Sequence, residues 1–234
     1  MSPAEFGVNF FVALFALIDP IGNVPMFAAA TTGATAAGRS WVALYISLFA
    51  LGFLAFFYFT GLSVLQFFGI SLPAFRIAGG ILLLLLGLDM AREDMTAAFS
   101  NPAEEHEAVD ARGYARQRFE RLVVPFAMPL LIGPGAISTA IIYAGAAKDY
   151  GIAGTIAGLA AILAIGVVTL LTFLATPLIS RLLGRVGMTI TVRVAGLILC
   201  ALAVQFMIIG LNDATHGFMR SSVAAPYADV GHKR

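Results

Sequence analysis

Two short segments place polar and helix-breaking residues inside long apolar stretches of the chain. In ALIDPIGNVP, at 16–25, the residues Asp19, Pro20, Gly22 and Asn23 follow one another closely. Proline lacks a backbone N–H and disfavours the helical conformation of the residue before it, so a helix that reaches this segment is expected to stop there. A helix that starts again in apolar surroundings has unpaired N–H groups, and such groups bind anions.

The second segment, PFAMPLLIGPGAIST at 125–139, repeats this design. We expect Gly133 to be the N-cap of a half-helix and Pro134 its first residue, because proline is favoured at that position. In the first segment we expect Asp19 to be the N-cap and Pro20 the first helical residue. Two half-helices are therefore expected to begin near the middle of the membrane.

The two helix starts offer opposite chemistry. The carboxylate of Asp19 suits a cationic group, whereas Gly133 has no side chain and leaves the amides of Gly135, Ala136 and Ile137 open to an anion. An ammonium at one end and a carboxylate at the other describe a small zwitterion, which we expect as the small-molecule substrate. The candidate substrate-binding residues are Asp19, Pro20, Gly22, Asn23, Gly133, Pro134, Gly135, Ala136, Ser138 and Thr139.

Asp19 is also the candidate for coupling to a proton. It is the only acid well inside an apolar stretch, and ionisable groups inside membranes are functional by default. Burial and the helix dipole act on its pKa in opposite directions. The sequence therefore leaves two alternatives open, a proton-coupling group and a purely structural cap.

Composition places the chain in a lipid bilayer and excludes several classes of function. Of 234 residues, 60% are hydrophobic, and the net charge of +1 argues against a nucleic-acid partner. A single cysteine, Cys200, excludes an internal disulfide and a cysteine cluster for a metal. The histidines His106, His216 and His232 lie outside the apolar stretches, which argues against haem and against a Ser–His hydrolase. We therefore expect no enzyme, no cofactor and no metal.

Six apolar stretches approach the length of about 20 residues that a membrane helix needs. They lie at roughly 6–31, 42–66, 74–91, 122–147, 152–178 and 192–212. The sequence FRIAGGILLLLLG at 75–87 resembles VRVAGLILCALAV at 192–204, and DPIG at 19–22 aligns with GPGA at 133–136.

An odd number of spans in each half turns the second half upside down. We thus expect an all-α polytopic membrane protein of six transmembrane helices in two inverted-topology repeats, with helices 1 and 4 discontinuous. The expected divisions are a first three-helix repeat at 1–91, a polar cytoplasmic linker at 92–121, a second repeat at 122–212 and a mobile tail at 213–234.

The distribution of basic residues predicts the orientation. With the N-terminus outside, most arginines, including those of 92–121, lie on the inner side of the membrane. This favours a multi-pass protein of the inner cell membrane with both termini outside.

FVALFALIDPIGNVPMF at 11–27 and PLLIGPGAIST at 129–139 resemble the MarC family of six-helix inner-membrane proteins, also described as small neutral amino acid transporters. The resemblance covers about 6–212. It implies a transporter-like protein, with archaeal relatives similar to carriers of glycine and alanine that are driven by an ion gradient of H⁺ or Na⁺. It places the site at the candidate residues of the two segments.

Three alternatives remain open from the sequence. One is a passive channel or exporter for another small metabolite, and another is a membrane scaffold or sensor that acts through 92–121. The third concerns Gly154 and Gly158, which are spaced for close helix approach either inside the protein or in a homo-oligomer.

Overall fold

The computed structural model describes residues 1–92, 110–122 and 131–215, and every element in these ranges is helical. The expected all-α membrane protein is confirmed at this level. The acidic cluster at 104–107, both prolines of 125–129 and the tail from 216 onward lie outside the described residues.

Eight α-helices and a 3₁₀ helix make up the described part of the chain. Ser2 and Glu5 form a capping box at the start of the first helix, and the Thr35 side chain caps the third. The last helix changes direction at Gly184, whose positive φ of 62° interrupts it. The helices are α1 Pro3–Ile18, α2 Val24–Ala30, α3 Ala36–Phe67, α4 Leu72–Arg92, α5 Ala111–Leu122, α6 Pro134–Ala147, a 3₁₀ helix Lys148–Tyr150, α7 Gly151–Leu174 and α8 Thr176–Ala214.

Four segments of the described chain are long and apolar enough to cross a membrane: Ala36–Phe67, Leu72–Arg92, Pro134–Leu174 and Val186–Ala214. The N-terminal helix α1, with 16 residues, is apolar but about 24 Å long, which is shorter than the hydrocarbon core. The chain is therefore an integral membrane protein with several spanning helices.

The segment Pro134–Leu174 reverses direction at the 3₁₀ helix. Tyr143 and Ala157 would lie about 21 Å apart on one straight helix. Both instead contact the start of α1, because the rings of Phe6 and Tyr143 are 5.3 Å apart and Ala157 lies against Gly7. Hence α6 and α7 form a hairpin whose tip lies beside the N-terminus.

Helices α4 and α8 pack antiparallel with almost no space between their backbones. A Cβ placed on Gly87 would lie 2.8 Å from Gly196 O, and one on Gly80 would lie 2.8 Å from Ala203 O. Small residues allow this approach, and the resulting van der Waals packing drives helix association in membranes. Gly154 and Gly158 of α7 were also expected to allow close helix approach. Gly158 faces the Tyr58 hydroxyl of α3, which is a contact inside the protein.

We expect Gly87→Ala to destabilise the fold. The added methyl group has no room between α4 and α8, and overpacking costs about 1–3 kcal/mol. The matched control is Gly145→Ala on α6, where a Cβ meets nothing within 4 Å. Thermal unfolding in detergent should show a lower midpoint for Gly87→Ala only, and equal midpoints for both variants would contradict the close packing.

Candidate functional site

The first break begins where α1 ends, at Ile18. Asp19 adopts the left-handed conformation (φ 41°, ψ 65°), and it is the only non-glycine residue of the described chain with a positive φ. Its N–H bonds Phe15 O, and its carboxylate accepts a 3.0 Å hydrogen bond from the Gly22 N–H. Asp19 therefore closes α1 and holds the turn that follows.

The prediction that Asp19 and Pro20 are the N-cap and the first residue of the second half-helix is wrong. The new helix, α2, begins four residues later at Val24, with Asn23 at the N-cap position and Pro25 in the first turn. The turn at 20–23 lies between the two helices, and Asp19 closes it by accepting from the Gly22 N–H with its carboxylate and from the Asn23 N–H with its carbonyl. The chain therefore leaves α1 through a separate turn before α2 starts at Val24.

Asn23 ties the two helices of the break together. Its Nδ2 donates to Ile18 O at 2.8 Å and to Asp19 O at 3.2 Å, so it satisfies carbonyls at the end of α1. These two bonds fix which way the amide points. Its Oδ1 is buried and has no hydrogen-bond partner among the described residues. A fixed, buried acceptor of this kind requires a donor or a cation from elsewhere.

Gly22 leaves the break no room for a side chain. A Cβ at this position would overlap the Asp19 carboxylate and lie 2.9 Å from the Cβ of Ala195 on α8. The backbone of the first break thus lies directly on α8.

The second break has the predicted start at Gly133 and Pro134. Gly133 is the extended N-cap of α6 (φ −76°, ψ 170°) and provides no side-chain cap, and Pro134 is the first helical residue. The Ile137 N–H bonds Gly133 O, so the expectation that this amide is open is wrong. Within the described ranges, the amides of Gly135 and Ala136 donate no hydrogen bond, and both residues are buried.

Of the two hydroxyl residues that follow, Ser138 differs from an ordinary membrane serine. Ser138 is fully buried and its Oγ has no hydrogen-bond partner among the described residues, although such hydroxyls usually bond their own helix backbone. Thr139 is 7% exposed. Ser138 therefore adds an unused donor within the first two turns of α6.

The structure brings the two breaks close together at the bundle centre. A Cβ on Gly135 would lie 3.3 Å from Leu17, the residue before the end of α1, and 3.0 Å from Leu83 of α4. Pro134 lies against Gly79 of α4, since a Cβ placed on Gly79 would be 2.6 Å from the Cβ of Pro134. Among the described residues, the hydrogen bonds of the Asp19 and Asn23 side chains stay within the first break.

Sequence reasoning missed the helices that hold the breaks. Gly79 and Ala195 lie in the two aligned AG motifs, and each of these motifs packs against the break of the other half. The repeated motif was the available signal, but sequence similarity alone does not say which surfaces meet. Within the described ranges, no group of three His, Cys, Asp or Glu side chains is placed to hold a metal ion.

A family profile described as "MarC family integral membrane protein" matches residues 4–215, which span almost the whole described chain. The chain belongs to the MarC family.

Relatives of this MarC protein cover it nearly end to end. A UPF0056 membrane protein of Methanocaldococcus jannaschii is 39% identical over 210 residues, which is 90% of this chain and 98% of the relative. The UPF0056 membrane protein YhcE of Escherichia coli K12 is 32% identical over 90% of this chain and 94% of its own length. The UPF0056 membrane protein YvbG of Bacillus subtilis is 32% identical over 89% of this chain and 95% of its own length. No solved structure matches.

We expect Asn23→Asp to destabilise the first break. A carboxylate cannot donate to Ile18 O, and leaving a buried carbonyl unpaired costs about 1–3 kcal/mol, whereas Asp19 O keeps its bond from the Asn23 backbone N–H. The control is Asn9→Asp, the same change at an exposed position of α1. Thermal unfolding in detergent is the measurement, and a midpoint for Asn23→Asp as high as that of Asn9→Asp would contradict the assigned hydrogen bonds.

Proposed function

We propose that this MarC-family protein is a secondary transporter of small neutral amino acids of the glycine and alanine type. Its site lies between the two helix breaks, and one repeat moves against the other around it. The observation that carries the proposal is the pairing of a buried acceptor, Asn23 Oδ1, which has no partner in the part of the chain that the structure describes, with a buried helix start at Gly133 that has no side-chain cap there.

Reciprocal packing supports two inverted three-helix repeats. Helix α2 of the first half packs on α8, while α6 of the second half packs on α4. Likewise α1 packs on α7, and α5 packs on α3. A two-fold axis in the membrane plane maps the first contact of each pair onto the second. The same axis maps α4 onto α8, and these two helices pack against each other at the axis. In this arrangement the turn at 20–23 interrupts the first helix of the first half, and the start of α6 at Gly133 marks the corresponding point of the second half.

The chemistry of the two breaks supports a zwitterionic substrate. The first break offers acceptors, namely the free oxygen of the Asp19 carboxylate and Asn23 Oδ1, and these suit an ammonium group. The second offers donors, namely the amides of Gly135 and Ala136 with the hydroxyl of Ser138, and these suit a carboxylate. A substrate held at both ends has its two charges separated by a short distance, as in an α-amino acid.

The remaining candidates are assigned by position. Pro20 and Gly22 shape the first turn, Pro134 starts α6, and Thr139 lines the same buried stretch as Ser138. Asp19 is half-buried and carries the charge that a coupling H⁺ or Na⁺ would meet. We place Asp19 both in substrate binding and in coupling to the ion gradient.

The proposed orientation is a multi-pass inner-membrane protein with both termini on the outer side. The N-terminus lies by the α6–α7 hairpin, and an ion pair between Arg76 and Asp213 joins the start of α4 to the end of α8. With α1–α2 and α3 each crossing the bilayer once, the start of α4 falls on the same side as the N-terminus, and the arginines of 92–121, on the other side, favour that shared side being the outer one. A scaffold that acts through 92–121 has less support, because α5 uses its buried face on α3.

The test is uptake of labelled glycine and alanine into proteoliposomes, with and without an H⁺ or Na⁺ gradient. Saturable uptake is expected for the wild type. Asp19→Asn should reduce it about tenfold or more, because a hydrogen bond to a charged group contributes about 1.5–3 kcal/mol. Asp149→Asn, the same change at an exposed position of the 3₁₀ helix, is the matched control. Uptake that is absent in the wild type, or equal in both variants, would contradict the proposal.

A further inference from the structure

Helix α5 is a polar helix that docks on the apolar bundle. The Asp110 carboxylate accepts a 2.7 Å hydrogen bond from the Gly113 N–H and so caps its first turn. Two of its side chains, Ala115 and Leu122, are buried, while Arg116 and Glu120 point to solvent on the opposite side. The helix thus has one face that contacts the protein and one that does not.

The contacts of α5 with α3 are made mainly by rings. The Phe119 ring lies 5.9 Å from the rings of both Tyr45 and Phe49, and the Arg112 guanidinium lies 5.1 Å from the centre of the Trp41 ring. Near the start of α3, the Tyr114 ring would lie 3.0 Å from a Cβ on Gly38. This surface holds α5 against α3 without any break in α3.

The Arg118 side chain of α5 reaches across to α2. Arg118 Nε donates to Ala30 O at 2.6 Å. The other end carbonyls of α2 already have local partners, since Thr31 bonds Phe27 O and Ala28 O, and Thr32 bonds Ala28 O and Ala29 O. The guanidinium therefore completes the C-terminus of α2 and lies at the negative end of its dipole.

The helix that Arg118 holds is the one that carries the first break. Helix α2 has seven residues and is about 10 Å long, with Asn23 at one end and Ala30 at the other. It contacts α7 through the stacked rings of Phe27 and Phe173. A displacement at Ala30 is thus transmitted through two helical turns to the Asn23 amide, because a short helix moves as one body.

We propose that Arg118 is a positioning residue for the site: its bond to Ala30 O holds α2 in place, and release of this bond allows the site to open toward the side of the membrane where α5 lies. The proposal deepens the proposed function and rests on the location of the site between the breaks. The opposite side is closed by a different structure, the ring cluster of Phe6, Phe10, Tyr58 and Tyr143.

The first test uses thiol accessibility and needs no substrate. The full-length protein carries Cys200→Ala and a reporter Ser138→Cys at the buried start of α6, and a membrane-impermeant maleimide is applied from the α5 side. Arg118→Gln should raise the labelling rate about tenfold or more, because it removes a hydrogen bond from a charged donor. Arg118→Lys, which keeps the charge and N–H donors, should largely restore the slow rate.

The matched control is Arg116→Gln on the same helix, whose guanidinium is exposed and bonds only Glu120 among the described residues. It removes the same charge and should leave the labelling rate unchanged. Equal rates for Arg116→Gln and Arg118→Gln would overturn the proposal. Size-exclusion chromatography of each variant establishes that the fold is retained.

A second experiment restrains α5 instead of weakening its bond to α2. Gly38→Cys with Tyr114→Cys, in the Cys200→Ala background, places two thiols where the Tyr114 ring meets Gly38, and a disulfide between them joins α5 to α3 and keeps Arg118 beside Ala30. Once thiol titration has verified the disulfide, the oxidised protein should lose glycine uptake and recover it on reduction, with an unfolding temperature no lower than that of the reduced protein. Undiminished uptake by the oxidised protein would overturn the proposal. If the wild type shows no uptake, the proposed substrate is wrong, while the labelling result still decides the role of Arg118.

Discussion

An unpaired backbone group inside a bilayer costs several kcal/mol, and the rest of this structure depends on that cost. Most of the chain avoids it with long helices. The two breaks meet it in different ways. At the first, the side chains of Asp19 and Asn23 bond the backbone of the turn and of α1. At the second, Gly133 has no side chain to offer, so the amides at the start of α6 depend on other groups.

This difference gives the centre of the bundle its polarity. The first break uses its donors internally and leaves oxygen acceptors, whereas the second leaves donors. Both breaks lie against a helix of the other half, since Gly22 contacts Ala195 and Pro134 contacts Gly79. Close packing of α4 against α8 supports these two contacts together, so the breaks and the glycine-rich helices form one structural unit.

Some of this arrangement was predictable from the sequence and some was not. The start of α6 at Gly133 and Pro134 was predicted because it depends on local backbone preferences alone. The role of Asp19 was not, because its left-handed backbone and the bonds from the Asn23 side chain to Ile18 O and Asp19 O depend on how the turn closes, which the residue types alone do not specify. Six apolar stretches indicated a polytopic membrane protein, and the family match confirms the membership that the two motifs predicted.

Helix α5 shows a second limit of sequence reasoning. Its residues have the charged composition of a solvated loop, and the segment around it was expected to be a linker. Only the ring contacts of Phe119 and the bond from Arg118 to Ala30, which join residues far apart in the chain, reveal that it belongs to the bundle. Tertiary contacts of this kind leave no periodic pattern in the sequence.

We propose that the two breaks together bind both charges of a small zwitterion. The most direct measurement is the shift in unfolding temperature of the purified protein with glycine, with acetate and with methylamine at equal concentrations. A ligand that binds only the folded state raises this temperature. We expect glycine to raise the unfolding temperature clearly, and acetate and methylamine, which carry one charge each, to raise it little. A shift with acetate or methylamine as large as that with glycine would contradict it.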